Sequence, residues 1–377
     1  MVNTYFCPNP ECENHKENLP DTTWYTPNGL YKTHAFGAVQ RYKCKTCNRG
    51  FSTQTFSLDY FAKKVINYEE VQQQVSSSVN NRALARNLNV SPATVTNRID
   101  RLSRQCISFH TDQLAKIKLA EDLAADGFES FCVSQYFPDN INLLVGDKSQ
   151  FVYFFNYVLI RRKGRMTDKQ KEKRAELEKL VNFKQKGHEK GFREILVTIK
   201  DLMNDSKKEA ITISTDEKPD YKRAIEHFPW FKGKIAAGEI IHNTISSRAA
   251  RTHENPLFPV NYMDRELRKD QANHRRETVC FARNVNNMLN RMMIYFHWHN
   301  YHKPYRIADK EMSRYQHAEQ AGLDRKEYTG ELFHLFTRRR FLSFSRQVKR
   351  FWKLLWKKML VTPLSEGREY YPRYALA

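Results

Sequence analysis

The sequence predicts a multidomain α/β protein. Three observations lead to this prediction: paired cysteines stand in a turn-rich N-terminal stretch, a pattern of two helices joined by a short turn follows, and β-branched and aromatic runs alternate with helical patterns from residue 123 onward. With 377 residues and 40% hydrophobic content, the chain can bury cores in more than one domain. We expect modules at residues 1–58, 59–122 and 123–310, and then a basic helical segment at 311–377.

The N-terminal module carries two pairs of cysteines. They are Cys7, Cys12, Cys44 and Cys47. The second pair stands in a CxxC turn, which can direct two thiolates at one ion, and four thiolates at about 2.3 Å complete a tetrahedral structural zinc site. His15 or His34 could replace one of the cysteines. A module this small has little core, so zinc binding would supply much of its folding free energy.

Residues 80–102, NNRALARNLNVSPATVTNRIDRL, predict a helix-turn-helix. Asn89 stands where a left-handed turn residue is needed, and Ser91 and Pro92 are an N-cap and a first helical residue. Val95 and Ile99 would pack the second helix on the first. Four side chains of the second helix are then available to a major groove: Thr94, Thr96, Asn97 and Arg98. An ordinary helical hairpin is the alternative.

The net charge of +21 favours a polyanionic partner, and nucleic acid fits it better than a membrane surface. The chain has no run of about 18 apolar residues that could cross a bilayer, and its N-terminus lacks the basic and then apolar build of a secretion signal. We therefore expect a cytoplasmic, nucleoid-associated protein without a membrane partner.

From residue 123, short apolar runs predict consecutive strands of a sheet with flanking helices. The nearly all-polar residues 161–190 predict an exposed helical insertion. Asp126 lies in the first predicted strand, LAADGF, and Asp216 ends a later one, ITISTD. Acids at strand ends beside a central sheet suit two Mg²⁺ ions about 3.5–4 Å apart, because these ions need hard oxygen ligands. Either acid alone could equally be a turn former.

The order of these features resembles bacterial insertion-sequence transposases of the DDE class. In chain order they are a zinc ribbon, a helix-turn-helix, a strand Asp, the pattern TDexxxY, an acid- and arginine-rich helix running into RRETVCFARN, and HNYHKPYR. The resemblance covers the chain from Cys7 to about Arg306. It implies an RNase H-like catalytic domain at residues 123–310, in which Asp126 and Asp216 are the first two magnesium ligands.

The third magnesium ligand is expected in the stretch NYMDRELRKDQANHRRETVCF, residues 261–281. Asp264 and Glu266 are about 200° apart on a helix, so only one of them can reach the same metal pair. The resemblance favours Asp264, because the catalytic acid of the family is commonly followed by arginine, as Arg265 follows here. A helix that begins with Asn261 as its N-cap would explain the same acids without any chemistry.

Under this interpretation, three arginines of the stretch hold DNA phosphates beside the metals: Arg268, Arg275 and Arg276. The expected activity is binding to the ends of the chain's own element, followed by Mg²⁺-dependent phosphodiester hydrolysis and strand transfer into target DNA. The expected partners are double-stranded DNA, at the element ends and at the target, and further copies of the chain in a homodimer or higher oligomer. The alternatives are a transcriptional regulator, as a domesticated and inactive transposase, and a nuclease.

Two further segments each have a structural and a functional interpretation. The histidines of HWHNYHKPYR could bind a metal, but their aromatic neighbours favour helix packing. The basic and aromatic segment 337–360 suits a helix that follows DNA phosphates while it packs on a core. A membrane-surface helix is the alternative for that segment.

Overall fold

The computed structural model describes residues 5–183, 185–275, 278–345 and 347–365. Its first element is an antiparallel sheet of β1 (Tyr25–Thr33), β2 (Gly37–Cys44) and β3 (Gly50–Ser52). The backbone turns between β1 and β2 at Gly37, whose φ of +63° suits glycine. Trp24 stacks on Phe51 with ring centroids 5.3 Å apart, so aromatic rings supply the small core of this sheet.

Three helices follow: α1 (Tyr68–Ser76), α2 (Asn81–Asn87) and α3 (Pro92–Leu114). The local predictions for this region are confirmed, because Ser91 accepts a hydrogen bond from the backbone of Thr94 and Pro92 is the first residue of α3. Asn89 has a φ of +49° in the turn between α2 and α3. The third helix is longer than predicted, since its 23 residues continue from the turn into the core of the protein.

A mixed sheet forms the centre of the molecule. Its strands are β4 (Leu123–Phe131), β5 (Pro138–Gly146), β6 (Val152–Leu159), β7 (Ile211–Asp216) and β8 (Ile240–Ile245). The strand order is β6-β5-β4-β7-β8. The first three strands are antiparallel to one another, whereas β7 runs parallel to β4 and β8 runs parallel to β7. The fold is therefore mixed α/β, with helices flanking a five-stranded sheet.

The helices beside this sheet are α4 (Asp168–Lys179), α5 (Gly187–Met203), α6 (Pro219–Glu226), α7 (Pro229–Ala236), α8 (Phe258–Asp270) and α9 (Val285–Tyr301). As predicted, the polar stretch contains an exposed helix, because α4 buries none of its residues. The first residues of the stretch KIAAGEIIH complete α7. Gly238, with a φ of +74°, ends that helix before β8 begins.

The C-terminal segment contains α10 (His317–Gln320), α11 (Arg325–Leu335) and α12 (Arg350–Trp356). The described part of this segment packs against the rest of the protein. Trp352 is buried, and its indole nitrogen donates to the carbonyl oxygen of Phe155 on β6. One hydrophobic core extends from Leu58 to Trp356, so it does not divide at the predicted boundaries after residues 122 and 310. In the part of the chain that is described, no helix has the length and apolar character that a membrane span requires.

Candidate active site and zinc cluster

The four cysteines of the N-terminal module converge on one point. Cys7 Sγ lies 3.4 Å from Cys47 Sγ, and Cys12 Sγ lies 3.8 Å from Cys44 Sγ. An ion bound tetrahedrally at about 2.3 Å from each sulfur would hold the sulfurs roughly 3.8 Å apart. Ligating atoms from all four cysteines lie within 4.8 Å of one another, and the cluster is compatible with a structural zinc ion.

His15 has a different role from the one considered for it. Its Nδ1 donates to the carbonyl oxygen of Cys7 at 2.6 Å, and its Nε2 lies 2.7 Å from Ser343 Oγ. Its ring stacks on Phe344, with centroids 4.5 Å apart. His15 therefore joins the backbone of the zinc cluster to the C-terminal segment, and its ring nitrogens are engaged outside the cluster.

The second helix of the helix-turn-helix presents a smaller polar face than predicted. Asn97 is exposed, whereas Thr94 and Thr96 are half-buried. The hydroxyl of Thr94 contacts the capping Ser91, and the hydroxyl of Thr96 donates to the backbone of Pro92. Asn97 is thus the most accessible of the predicted groove-contacting side chains.

The prediction that Arg98 projects toward a groove is wrong. Its side chain is only 3% exposed, Nη2 donates to the carbonyl oxygen of Lys64 at 2.9 Å, and Asp59 lies 3.8 Å away. The reason is helix geometry, since a residue three positions after Val95 lies on the same side of the helix as Val95. Arg98 binds a neighbouring segment of the protein.

Asp126 and Asp216 lie side by side on neighbouring parallel strands. Ala125 of β4 pairs with Thr215 of β7, and each acid is the next residue along its strand. From β4 the chain continues to strands on one side, and it later returns through α5 to strands on the other side. This is a topological switch point, where sheets of this kind commonly bind ligands.

A lysine and a tyrosine from the start of α6 contact these two acids. Lys218 Nζ lies 3.7 Å from Asp126 Oδ1 and 3.6 Å from Asp216 Oδ2. The hydroxyl of Tyr221 donates to Asp126 Oδ1 at 3.3 Å. Sequence analysis did not assign a role to Lys218. Its position two residues after the strand-ending acid, in TDEKPDY, was the available signal.

Asp264, on α8, lies close enough to Asp126 for the two carboxyl groups to interact electrostatically. Burial raises the pKa of Asp264 to about 8, and Asp126 adds to the rise, while Arg268, Arg251 and Lys218 oppose it. Burial also raises the pKa of Asp126, which Lys218 lowers and Asp216 raises again. The three carboxyl groups therefore share one electrostatic environment. Among the described residues, however, only the four cysteines bring three or more metal-ligating atoms within 4.8 Å of one another.

Glu266 belongs to a different environment. It is 3% exposed and forms ion pairs with Lys303 at 2.7 Å and Lys269 at 3.1 Å. Burial by itself would raise the pKa of Glu266, but these two lysines bring it below its ordinary value. The helix begins at Phe258, so Asn261 lies inside it and is not the N-cap considered from the sequence.

The predicted phosphate-binding arginines have different surroundings. Arg268 is half-buried with its guanidinium 4.9 Å from the ring centroid of Phe128. Arg275 is exposed and donates to the carbonyl oxygen of Arg268 at 3.3 Å. Arg276 lies outside the described residues. Arg251, which the sequence did not single out, is exposed on the loop before α8 and is near enough to lower the pKa of Asp264.

The histidines of HWHNYHKPYR pack inside the protein, as the aromatic neighbours indicated. His299 is buried and stacks on His317 with centroids 3.9 Å apart. His297 is buried and lies 3.0 Å from the side-chain amide of Gln72. Burial holds the pKa of both His297 and His299 well below the ordinary histidine value.

The sequence matches no protein-family model and no curated protein. What the chain does must therefore be inferred from its own residues, and above all from the acids at the switch point of the sheet.

Proposed function

We propose that the chain is a DDE-class DNA transposase that binds the ends of its own insertion element and transfers DNA strands. The observation that carries the proposal is the adjacency of Asp126 and Asp216 at the switch point of the mixed sheet, with Asp264 near enough for Asp126 to raise its pKa. Acids on the central strand, on its parallel neighbour and on a following helix also support the RNase H-like fold that the family resemblance implies.

The charges of the site support magnesium as its cofactor. Burial and mutual repulsion raise the pKa of Asp126 and Asp264 even though Lys218, Arg251 and Arg268 oppose the rise, so further positive charge would stabilise the ionised carboxylates. Carboxylate oxygens are the donors that Mg²⁺ prefers, and Asp126, Asp216 and Asp264 would hold two ions. Bound Mg²⁺ would supply charge stabilisation for the attacking and leaving oxygens of a phosphodiester.

The chain's own residues would position the DNA. Tyr221 is buried and fixes the orientation of the Asp126 carboxylate through its hydroxyl. Arg251, whose charge acts on Asp264, and Arg275, which is bonded to the last turn of α8, are exposed cations that would contact phosphates. Asn97 on the second helix of the helix-turn-helix would contact base edges at the element ends. The excess of 63 Lys and Arg over 42 Asp and Glu favours a DNA partner for all these surfaces.

A DNA-binding regulator is the second candidate, and one observation favours it. Lys218 lies between Asp126 and Asp216 and already neutralises part of their charge. The carboxylates are also more widely spaced than the cysteine ligands of the zinc cluster. A chain that kept the fold and lost the chemistry would have this arrangement.

Strand transfer on DNA that carries the element ends separates these functions. A transposase joins the end to target DNA when Mg²⁺ is present and stops when the metal is chelated, and the Asp126→Asn variant binds the DNA without joining it. A regulator binds the ends with no metal-dependent product. A nuclease cuts them without joining, and either of the last two results overturns the proposal.

A further inference from the structure

The segment between the zinc module and α1, residues 59–66, is held against α3 by buried arginines. Arg98 Nη2 donates to the carbonyl oxygen of Lys64, and Arg101 Nη1 donates to the carbonyl oxygen of Leu58 at 3.0 Å. Both guanidinium groups lower the pKa of Asp59, which burial raises. We call residues 59–66 the basic loop. Its two ends are fixed by the helix that carries the predicted DNA-reading side chains.

The basic loop lies beside the surface of the helix-turn-helix that is expected to face DNA. Lys64 Nζ donates to the carbonyl oxygen of Asn89, in the turn just before α3, at 3.2 Å. Arg98, which holds the loop, is one helical turn from Thr94 and therefore on the same side of α3. The loop and the exposed start of α3 thus form one continuous surface.

Within the loop, an aromatic side chain points outward from a strained backbone. Phe61 is 65% exposed and has a φ of +54°, a region that bulky residues rarely adopt. The preceding Tyr60 is buried, with the guanidinium groups of Arg101 and Arg339 each 4.0 Å from its ring centroid. The ring of Phe61 meets the Tyr60 ring edge-on, with centroids 6.3 Å apart, and most of its surface stays exposed.

The exposed side chains of the loop combine charge with apolar surface. Lys63 and Lys64 are exposed, and Val65 is 64% exposed. Cations that neutralise phosphates, next to an apolar side chain that packs on sugars or base edges, are a common combination at DNA interfaces. The positive charge of this surface would attract DNA, which is negatively charged. It would repel the surface of a basic protein.

We propose that the basic loop is a second DNA-contacting element, which binds double-stranded DNA next to the base pairs reached by α3. Lys63 contacts a backbone phosphate, and the ring of Phe61 packs against the sugar and base edges of the adjacent groove. Arg98 acts as a positioning residue that presents the loop. This inference rests on the proposed DNA binding by the helix-turn-helix, and it adds a surface that the helix-turn-helix motif does not include.

The test measures binding of the full chain to DNA that carries the element ends, over a series of salt concentrations. Lys63→Ala should weaken binding to cognate and random DNA alike and reduce the slope of log affinity against log salt by about 1. Phe61→Gly should weaken binding roughly tenfold, because the apolar contact of the ring with the groove is lost. Because glycine tolerates a positive φ, this variant should unfold at the same temperature as wild type or higher.

Lys169→Ala, an exposed lysine of α4, is the matched control and should bind as wild type does. If Lys63→Ala and Phe61→Gly keep the wild-type affinity and salt slope, the basic loop is not a DNA contact. If Phe61→Gly changes the oligomeric state in gel filtration and not the DNA affinity, the ring covers a second copy, and the proposal is again overturned. If the wild-type chain binds no DNA, both the proposed role of the basic loop and the proposed function are wrong.

Discussion

The ammonium nitrogen of Lys218 lies 3.7 Å from Oδ1 of Asp126, on the central strand of the mixed sheet. The same nitrogen lies 3.6 Å from Asp216, so one lysine serves both acids of the pair. A divalent cation bound by these carboxylates would neutralise the same charges. Lys218 and the metal are therefore expected to compete for the pair.

Lys218→Met should reveal this competition. The variant should be less stable than wild type without metal, by about 1 kcal/mol or less because the pair is partly exposed. It should bind Mg²⁺ roughly tenfold more tightly, equivalent to about 1.4 kcal/mol, since the repelling ammonium is gone. Thermal unfolding over a Mg²⁺ series measures both effects. Lys222→Met, at an exposed position of α6, is the control, and equal metal stabilisation in the two variants would contradict the competition.

Asp264→Asn and Glu266→Gln should have opposite effects. The first should reduce Mg²⁺-dependent strand cleavage by about 10³-fold or more with DNA binding intact, because a metal ligand is lost. The second should leave cleavage near the wild-type rate but destabilise the fold by roughly 3 kcal/mol, since Lys303 would stay buried without its counter-charge. Cleavage assays and urea unfolding on both variants test this. Normal cleavage by Asp264→Asn would exclude it as a ligand.

Removal of zinc should loosen more than the N-terminal module. The full chain should contain about one zinc ion, and Cys44→Ser should lose it. Because His15 contacts both Cys7 and Ser343, the C-terminal segment around Ser343 should then become more susceptible to proteolysis. Cys280→Ser, at an exposed cysteine, should keep both the zinc and the protease pattern. A folded wild-type chain without zinc would refute the assignment.

Arg98→Ala should behave as a structural variant. The substitution removes the hydrogen bond to Lys64 and a counter-charge of Asp59, so we expect a loss of about 2 kcal/mol in the free energy of unfolding. DNA affinity should fall equally for cognate and random sequences. Asn97→Ala should instead weaken cognate binding selectively and leave stability nearly unchanged. Competition binding with base-substituted ends distinguishes the two, and relaxed specificity at one base pair in Arg98→Ala would contradict the buried position.

Acid should destabilise the protein through its buried histidines. Burial lowers the pKa of His110 to about 4, and burial together with Arg291 and Arg268 lowers that of His274 to about 3. These imidazoles are neutral when folded and take up protons on unfolding below pH 6.5. Their contribution to the free energy of unfolding is complete above about pH 6.5. It is lost as the pH falls toward 4, by about 1.4 kcal/mol per pH unit for each group.

Urea unfolding at pH 7.5, 6.5 and 5.5 measures this loss. His274→Asn should remove the contribution of one histidine from the pH dependence of the free energy of unfolding. His253→Asn, at an exposed histidine on the loop before α8, should leave the pH dependence as it is in wild type. A pH dependence in His274→Asn equal to that of wild type would contradict the assignment.

Much of the architecture follows from local sequence signals. The strands at 123–159 and 211–216 follow from β-branched and aromatic runs, and the start of α3 from Ser91 and Pro92. The cysteine cluster follows from the spacing of two pairs. Pro259 is a further local signal, because proline suits the first turn of a helix and α8 begins at Phe258.

Other features depend on contacts between distant parts of the chain. The spacing from Val95 places Arg98 on the packed side of α3, but its partners Lys64 and Asp59 come from another segment of the chain, which no helical periodicity reveals. The C-terminal tryptophans were correctly expected to pack, but their partner on β6 could not be identified from the sequence. For the same reason, helical periodicity could not distinguish Asp264 from Glu266. In the structure, the ion pair with Lys303 shows that Glu266 lies in a different environment.

Because α3 is one uninterrupted helix, it holds its two ends at a fixed distance from each other. Its 23 residues extend about 34 Å, close to the rise of ten base pairs. Asn97 lies in its second turn, and His110, about 20 Å further along the helix, is hydrogen-bonded to the backbone of Tyr153 in the mixed sheet. Under the proposed function, this continuous helix would fix the distance between the base pairs contacted by Asn97 and the phosphodiester held beside Asp126. An element whose recognition sequence is moved by a few base pairs from its tip would be bound as before and cut at the wrong position.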